Sequence, residues 1–540
     1  MSDSTYSRTP AGTNRREFIA GGAALGMFGL APIAAGQQSV VGRISEALTR
    51  PDLVLINGQF IDYRGNVGAA LSISNGRIQA IGSDASLDPA VPVVDLGGRT
   101  VIPGFVDAHV HYTRAGVNPG YQERRIERAF SIAELQETIA RRATTVPPGQ
   151  FITCIGGWNH NQLAEARRPT LAELDAAAPE HAVYLSATGG GTGAIANRRG
   201  RAFFEARGIA VDPSTGVVAA PRDALAALQA VQTPEDKLRG TAELNAYASS
   251  VGLTTVVNAG NFEDQTYPLQ LWREARLNVR MRPLYPADSP AAVDARAQNN
   301  FDQAGRAVGD DLYRPAGFGE RIGGNNTMSD QFEPTARLIA RYGWLLQQHS
   351  ISSQENAFHL AAFERIAREF PLETLHWALI HLQEISAEHL EALGRLGAGA
   401  SAQTWTYLST AGGPPFRRIV DSGIPAAVGT DSTNVAALDP WLSLFYMTTG
   451  RNLSGEITNA GQQISRLEAL RLYTQGAAWF SFDDRQTGSF ETGKLADLAV
   501  LSHDYLTVPE AALRRIESVL TLVGGRPVHA AAPFAGDAAL

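Results

Sequence analysis

From Leu53 onward, apolar and polar residues alternate in short runs. Leu53-Val54-Leu55-Ile56 meets Asn57-Gly58, Leu71-Ser72-Ile73-Ser74 meets Asn75-Gly76, and Arg77-Ile78-Gln79-Ala80-Ile81-Gly82 follows. A period of two interrupted by Asn-Gly turns predicts β-hairpins. The same style returns near the C-terminus, in Ala496-Asp497-Leu498-Ala499-Val500-Leu501 and in Val519-Leu520-Thr521-Leu522-Val523 before Gly524-Gly525. Neither piece is large enough to hold a core by itself. Residues 52–103 and 486–540 are therefore expected to pack together as one small β-sandwich.

The segment between them, 104–485, has a mixed pattern. Short β runs recur, among them Ala182-Val183-Tyr184-Leu185, Thr254-Thr255-Val256-Val257 and Trp344-Leu345-Leu346-Gln347. They alternate with stretches of helical composition at 222–251, 355–370 and 386–396. Strands alternating with helices predict an α/β fold with a parallel sheet. The length suits a closed (β/α)8 TIM-type barrel with insertions, whose active site lies at the C-terminal ends of the strands. An open doubly wound sheet is the alternative, although no Gly-rich phosphate loop follows a first strand.

The first residues read as an address rather than as structure. Arg15-Arg16 precedes a weakly apolar run, Ile19 to Ala35, broken by four glycines and closed by Ala34-Ala35-Gly36. This pattern predicts a twin-arginine export signal over 1–36, a linker over 37–51 and a periplasmic or otherwise exported product. The run falls short of the roughly 20 strongly apolar residues that span a bilayer, so stable membrane insertion after export is not expected.

Composition narrows the function. The 540 residues carry 46 Lys+Arg against 54 Asp+Glu, a formal charge of −8, which argues against a general nucleic-acid binder. Cys154 is the single cysteine, so neither an internal disulfide nor a multi-cysteine zinc site can form. It lies in the apolar run Phe151-Ile152-Thr153-Cys154-Ile155 and reads as a packed thiol. Only Lys237 and Lys494 are lysines.

The strongest chemical signal is Val101-Ile102-Pro103-Gly104-Phe105-Val106-Asp107-Ala108-His109-Val110-His111. On a strand, residues i and i+2 share a side, so both imidazoles can reach one ion. A bare His-x-His is more often structural; its position at a strand end, just after the β-rich piece, is what gives it weight.

This stretch resembles the first-strand motif of the metal-dependent amidohydrolase superfamily. Gly156-Gly157-Trp158-Asn159-His160-Asn161 resembles the Gly-Trp-x-x-Asn segment of its branch containing formamide deformylase-like enzymes. Gly252 to Gly260, Gly429-Thr430-Asp431-Ser432 and Gly493 to Leu501 match further landmarks, so the likeness covers nearly the whole chain after the leader. It implies metal ligation by His109 and His111, by His349 ending a fifth barrel strand, by His381 ending a sixth and by Asp431 ending an eighth. Asp431 would be the general base and then acid, and His381 would help stabilise the oxyanion. The cofactor implied is a divalent metal, zinc by preference, as one or two ions. The implied reaction is hydrolysis of an amide, N-acyl or carbamate bond in a small molecule. Relatives often form dimers, which implies a homo-oligomer.

Several positions depart from the family pattern. Two-metal relatives often bridge their ions with a carbamylated lysine, yet neither lysine here lies near the fourth strand. Glu320, in Gly317-Phe318-Gly319-Glu320-Arg321, stands where a bridging ligand is expected; an ion pair of Glu320 with Arg321 or Arg282 is the competing reading. Thr192 occupies a position where the branch often has His, and Asn258 replaces a common Asp. Trp158, Asn161, Thr192 and Trp405 are the candidate substrate contacts. Trp405, Tyr407 and Phe416 either line an apolar pocket or pack as core. His160 is a weaker candidate, and His376 reads as structural. The rival functions are a non-hydrolytic decarboxylase or isomerase on the same fold, and an exported metal- or solute-binding protein without turnover.

Overall fold

The computed structural model describes residues 51–82, 91–188, 193–260, 265–299, 309–432 and 435–540. The leader read at 1–36, the linker up to Arg50, and Thr192 lie outside the described residues.

The period-two runs at the two ends form two sheets. One has the order Arg77–Gly82, Ala70–Ser74, Leu53–Ile56, Val93–Asp95. The other runs Arg526–Ala530, Ser518–Val523, Leu498–Leu501, Thr100–Pro103, Gln59–Asp62, Gly65–Gly68, so C-terminal and N-terminal strands share one ladder. Leu55, Leu71 and Val94 of the first sheet share a buried core with Phe60, Leu498 and Leu520 of the second. Asn57 and Asn75 take the left-handed conformation that the Asn-Gly turns require. Lys494, one of the two lysines, is buried and donates to the Asp484 and Thr487 carbonyls and to Ser489 Oγ. It is a structural clamp.

Thr100–Pro103 passes through Gly104 straight into the barrel. A methyl group on Gly104 would lie 2.2 Å from Thr254 Oγ1, so this crossing admits only glycine. The eight barrel strands are β1 (Phe105–Val110), β2 (Leu253–Asn258), β3 (Arg280–Tyr285), β4 (Gly317–Phe318), β5 (Leu345–Ser350), β6 (Ala378–His381), β7 (Gly399–Gln403) and β8 (Ala426–Gly429). Each pairs in parallel with the next in chain order. The open doubly wound alternative is thereby set aside.

Closure between β8 and β1 is made just past the strand ends. Asp431 N–H donates to His109 O (2.9 Å) and His111 N–H donates to Ser432 O (2.8 Å). The buried Asp107 carboxylate accepts from Thr430 N (3.0 Å) and Thr430 Oγ1 (2.6 Å) across the same seam. A methyl on Gly429 would come within 2.5 Å of His109 N, so a glycine lets the two edges meet.

Two expectations need correction. Ala182–Ser186 is not a barrel strand. It belongs to a separate five-stranded mixed sheet, with Tyr121–Gln122, Phe151–Ile155, Ala194–Ala196 and Val217–Val218, inserted between β1 and β2. Its apolar run has the same period as a barrel strand, so patterning alone could not assign it to a sheet. The helical stretch 222–251 is two helices, Pro221–Gln229 and Pro234–Ser250. The second starts at a capping box of Thr233 with Asp236, and Pro234 fills its first turn, where no N–H bond is lost.

The insertion is fastened to the barrel by buried charge. Glu127 accepts from Arg124 Nη1 (2.8 Å) and from the Leu438 N–H (2.9 Å) in the segment after β8. Arg128 pairs with Asp439 (3.0 Å) and donates to the Ile516 carbonyl (2.7 Å). Burial lifts the Glu127 carboxyl from 4.5 to about 7, against the pull of Arg124. Between those values the folded chain keeps a proton that the unfolded chain has lost. The stabilising contribution is therefore full below about pH 4.5 and is lost as pH rises through about 7. Urea unfolding from pH 4.5 to 8 should show the stability of the wild type falling relative to Glu127→Gln as pH rises. A difference between the two that stays constant with pH would contradict this assignment.

Candidate metal centre

Six side chains predicted from the sequence converge at the C-terminal mouth of the barrel. His109 lies on β1, and His111 follows it by two positions at the start of the helix Tyr112–Gly116. His349 is on β5 and His381 is the last residue of β6. Glu320 comes two residues after β4 and Asp431 two residues after β8. Strand ends supply these positions because parallel strands all deliver their last residues to one rim.

The geometry is close. Imidazole centroids lie 5.5 Å apart for His109–His111, 5.1 Å for His109–His381 and 4.1 Å for His349–His381. Glu320 Oε2 stands 3.3 Å from His109 Nε2, 3.4 Å from His381 Nε2 and 3.6 Å from His349 Nδ1. Its Oε1 is 3.7 Å from His111 Nε2. Asp431 Oδ1 lies 3.5 Å from His109 Nε2 and 3.3 Å from His111 Nε2, with Oδ2 at 3.8 Å from His381 Nδ1. These spacings are long for N–H···O bonds. They match the separation of about 3.3 Å between ligands that share a tetrahedral ion through bonds of about 2.0–2.1 Å.

Polar atoms in the cluster bear this out. His109 Nδ1 and Nε2, His349 Nδ1 and His381 Nδ1 are buried and make no hydrogen bond of normal geometry among the described residues. Such groups are costly unless something else satisfies them. Among the described residues, two triads are compact enough to hold an ion: His109, Glu320 and His381, and His109, His111 and Asp431. Imidazole nitrogen and carboxylate oxygen together suit zinc and other first-row divalent metals.

Charge points the same way. Burial opposes ionisation of both carboxylates, yet the facing imidazoles outweigh it and hold Glu320 and Asp431 well below the usual carboxylate range. Burial also opposes charge on His109, but Asp431 and Glu320 lift it to about 10. Burial and the neighbouring His349 push His381 down to about 4, which keeps it a neutral lone-pair donor. The cluster thus favours positive charge at its centre. The competing ion pairs for Glu320 are weak or absent: Arg282 is engaged with Asp483 at 2.7 Å, and Arg321 Nε lies 3.7 Å from Glu320 Oε1.

His381 and Asp431 also hold left-handed backbone angles, with φ of 78° and 57°. Such angles cost a residue with a side chain about 1 kcal/mol or more and cluster at functional sites.

A cavity of about 280 Å³ opens over the cluster, and Trp405 is among the residues that line it. Tyr407 and Phe416 do not; both are core residues packed on Tyr446. Trp158 is corrected from substrate contact to core, for its ring is buried in the inserted sheet and its Nε1 donates to the Ser186 carbonyl (3.1 Å). Asn161 is exposed in the turn His160–Gln162, its N–H bonded to Asn159 Oδ1, and is not among the residues lining the cavity. Asn258 accepts from the Thr113 N–H (2.9 Å) and so fixes the helix after His111. Cys154 is buried, as its apolar strand implied, and His376 stacks on Trp479.

The cavity wall also contains Arg114, Arg321, Ile351 and Val435, which the sequence reading did not place there. Arg114 lies three positions beyond His111 and Arg321 directly follows Glu320. Adjacency to a ligand at a strand end was the available signal.

Residues 92–529 match the sequence model of the amidohydrolase family. The chain belongs to the amidohydrolase family. The N-substituted formamide deformylase of Arthrobacter pascens is 24% identical over 539 residues, covering 88% of this chain and 97% of that protein. Among solved structures, an uncharacterized metal-dependent hydrolase from Pyrococcus horikoshii aligns with a TM-score of 0.57 and 20% identity, over 85% of this chain and 99% of its own. Atrazine chlorohydrolase TrzN from Arthrobacter aurescens, complexed with zinc, aligns with a TM-score of 0.54 and 14% identity, over 88% and 95%. At these identities the structural likeness speaks for the fold.

Within this family member, His109→Ala and Glu320→Gln should each weaken divalent-metal affinity by at least about tenfold, whereas Cys154→Ser should leave it unchanged. Competition with a chromogenic chelator measures this. Equal affinity in all four proteins would place the metal elsewhere.

Proposed function

We propose that this family member is a metal-dependent hydrolase that cleaves a carbon–nitrogen bond (amide, N-acyl or carbamate) in a small molecule. The observation that carries the reading is the convergence of four imidazoles and two carboxylates beneath a cavity of about 280 Å³ at the barrel mouth. The likeness to an N-substituted formamide deformylase supports the choice of bond.

Six donors exceed the three protein ligands of a typical catalytic zinc ion. Glu320 stands between the His109/His111 pair and the His349/His381 pair. Where two ions bind, Glu320 would hold both, a role that the scarcity of lysine leaves to a carboxylate. Zinc is favoured by the nitrogen and oxygen donor set and by the zinc complex of the structurally similar chlorohydrolase. Bound there, such an ion supplies Lewis acidity, making a water acidic enough to react near neutral pH and polarising the scissile carbonyl.

The chain's own residues do the rest. Asp431, held ionised at the rim, accepts the proton of the attacking water and returns it to the leaving nitrogen. His381 stays neutral and is assigned to the side where the oxyanion develops. A cavity of about 280 Å³ supports a small-molecule substrate. Export through residues 1–36 remains part of the proposal and rests on Arg15-Arg16 and the weakly apolar run behind them.

The test is release of amine and acid from a panel of N-acyl and N-formyl compounds by zinc-loaded protein. Asp431→Asn should retain metal and lose about 100-fold or more in kcat, the scale of a missing general base. Absence of turnover on every compound by the metal-loaded wild type would favour a binding protein, and undiminished turnover in Asp431→Asn would remove the assigned base.

A further inference from the structure

Beyond the metal cluster, the cavity wall carries both arginine and apolar side chains. Arg114 and Arg321 both line it, together with Trp405 and Val435. Among the described residues lining the cavity, Glu320 and Asp431 are the acids, and both face the imidazoles.

Arg321 differs from the buried arginines elsewhere in the fold. Arg280 has a carboxylate at 2.6 Å, Arg282 at 2.7 Å and Arg128 at 3.0 Å. The nearest carboxylate to Arg321 is Glu320, at 3.7 Å, and its Nη1 reaches the Asn325 carbonyl at a long 3.5 Å. Its side chain is 31% exposed, toward the cavity it lines. A guanidinium carries five N–H donors in a planar fork that fits a carboxylate with two parallel bonds. Here a half-buried fork stands beside the reaction centre with only long contacts among the described residues. Val435, 38% exposed, and Trp405 line the same cavity and give it apolar surface that water solvates poorly.

We propose that the substrate is an anionic N-acyl compound whose carboxylate is bound by Arg321, with Arg114 adding positive potential, and whose apolar side chain packs on Trp405 and Val435. This rests on the hydrolase reading above and narrows it to N-acylated amino acids and close analogues. A neutral N-acyl amine would leave the guanidinium facing the cavity unpaired.

The experiment compares zinc-loaded wild type on N-formyl- and N-acetylphenylalanine, of either hand, with the same acyl derivatives of 2-phenylethylamine, which lack only the carboxylate. The ratio of kcat/KM for acid over neutral compound should be about tenfold or more, the scale of a hydrogen-bonded charge. Arg321→Gln should bring that ratio to near unity, chiefly through KM, and Arg321→Lys should keep part of it. Arg114→Gln should lower it less. A merely structural arginine would lower both rates and leave their ratio alone. Preference for the neutral compound, or a ratio unmoved in Arg321→Gln, would overturn the proposal while leaving the hydrolase reading intact. If neither compound is cleaved, the hydrolase reading fails on these substrates. The subsite is then decided by calorimetry on zinc-loaded Asp431→Asn, where binding of the acid but not the neutral compound supports it and binding of neither overturns it.

Discussion

Asp107 joins the two edges of the barrel. Its buried carboxylate accepts from the Thr430 backbone and hydroxyl on one side and from the His109 N–H on the other. Burial raises its pKa to about 6, so the group is held at some cost. What the seam secures is the relative position of His109, His111 and Asp431, because at the same place the Asp431 N–H donates to the His109 carbonyl and the His111 N–H to the Ser432 carbonyl. Without that closure, the ligands from the first and the eighth strand would belong to two loose ends of a sheet.

The remaining donors arrive from the far side of the barrel by the same rule. Each of β4, β5 and β6 presents one residue within two positions of its end. The His349 N–H bonds to the Glu320 carbonyl (2.9 Å), which locks those two ends together. Imidazoles and carboxylates are thus crowded by backbone geometry at separations long for hydrogen bonds among themselves. His381 and Asp431 keep left-handed angles that the surrounding ladder imposes. A cation at the centre relieves this crowding, since it satisfies lone pairs that lack partners and offsets two carboxylates at once.

Much of this site was legible in the sequence, for a physical reason. Metal chemistry restricts donors to a few residue types, and a parallel barrel restricts them to strand ends, so His109, His111, His349, His381 and Asp431 could be found by type and order. Glu320 could be inferred from the missing lysine. Other features left no such trace. Trp158 lies in a motif beside the glycines, yet proximity in sequence does not fix which way a ring turns, and its indole is spent on the core. The inserted sheet hid among the barrel strands because a buried run of five residues reads alike in either sheet. Arg321 entered the sequence reading only through the competing ion pair with Glu320, and the 3.7 Å separation shows how loose that pair is.

The central claim is that the six side chains form one divalent-metal centre. It is tested most directly by diffraction from zinc-loaded crystals at wavelengths on either side of the zinc absorption edge. The account predicts anomalous peaks at bonding distance from His109, His111 and Asp431 and from His349 and His381, with Glu320 between them. Zinc found at another place on the chain, with those six side chains turned to other partners, would contradict it.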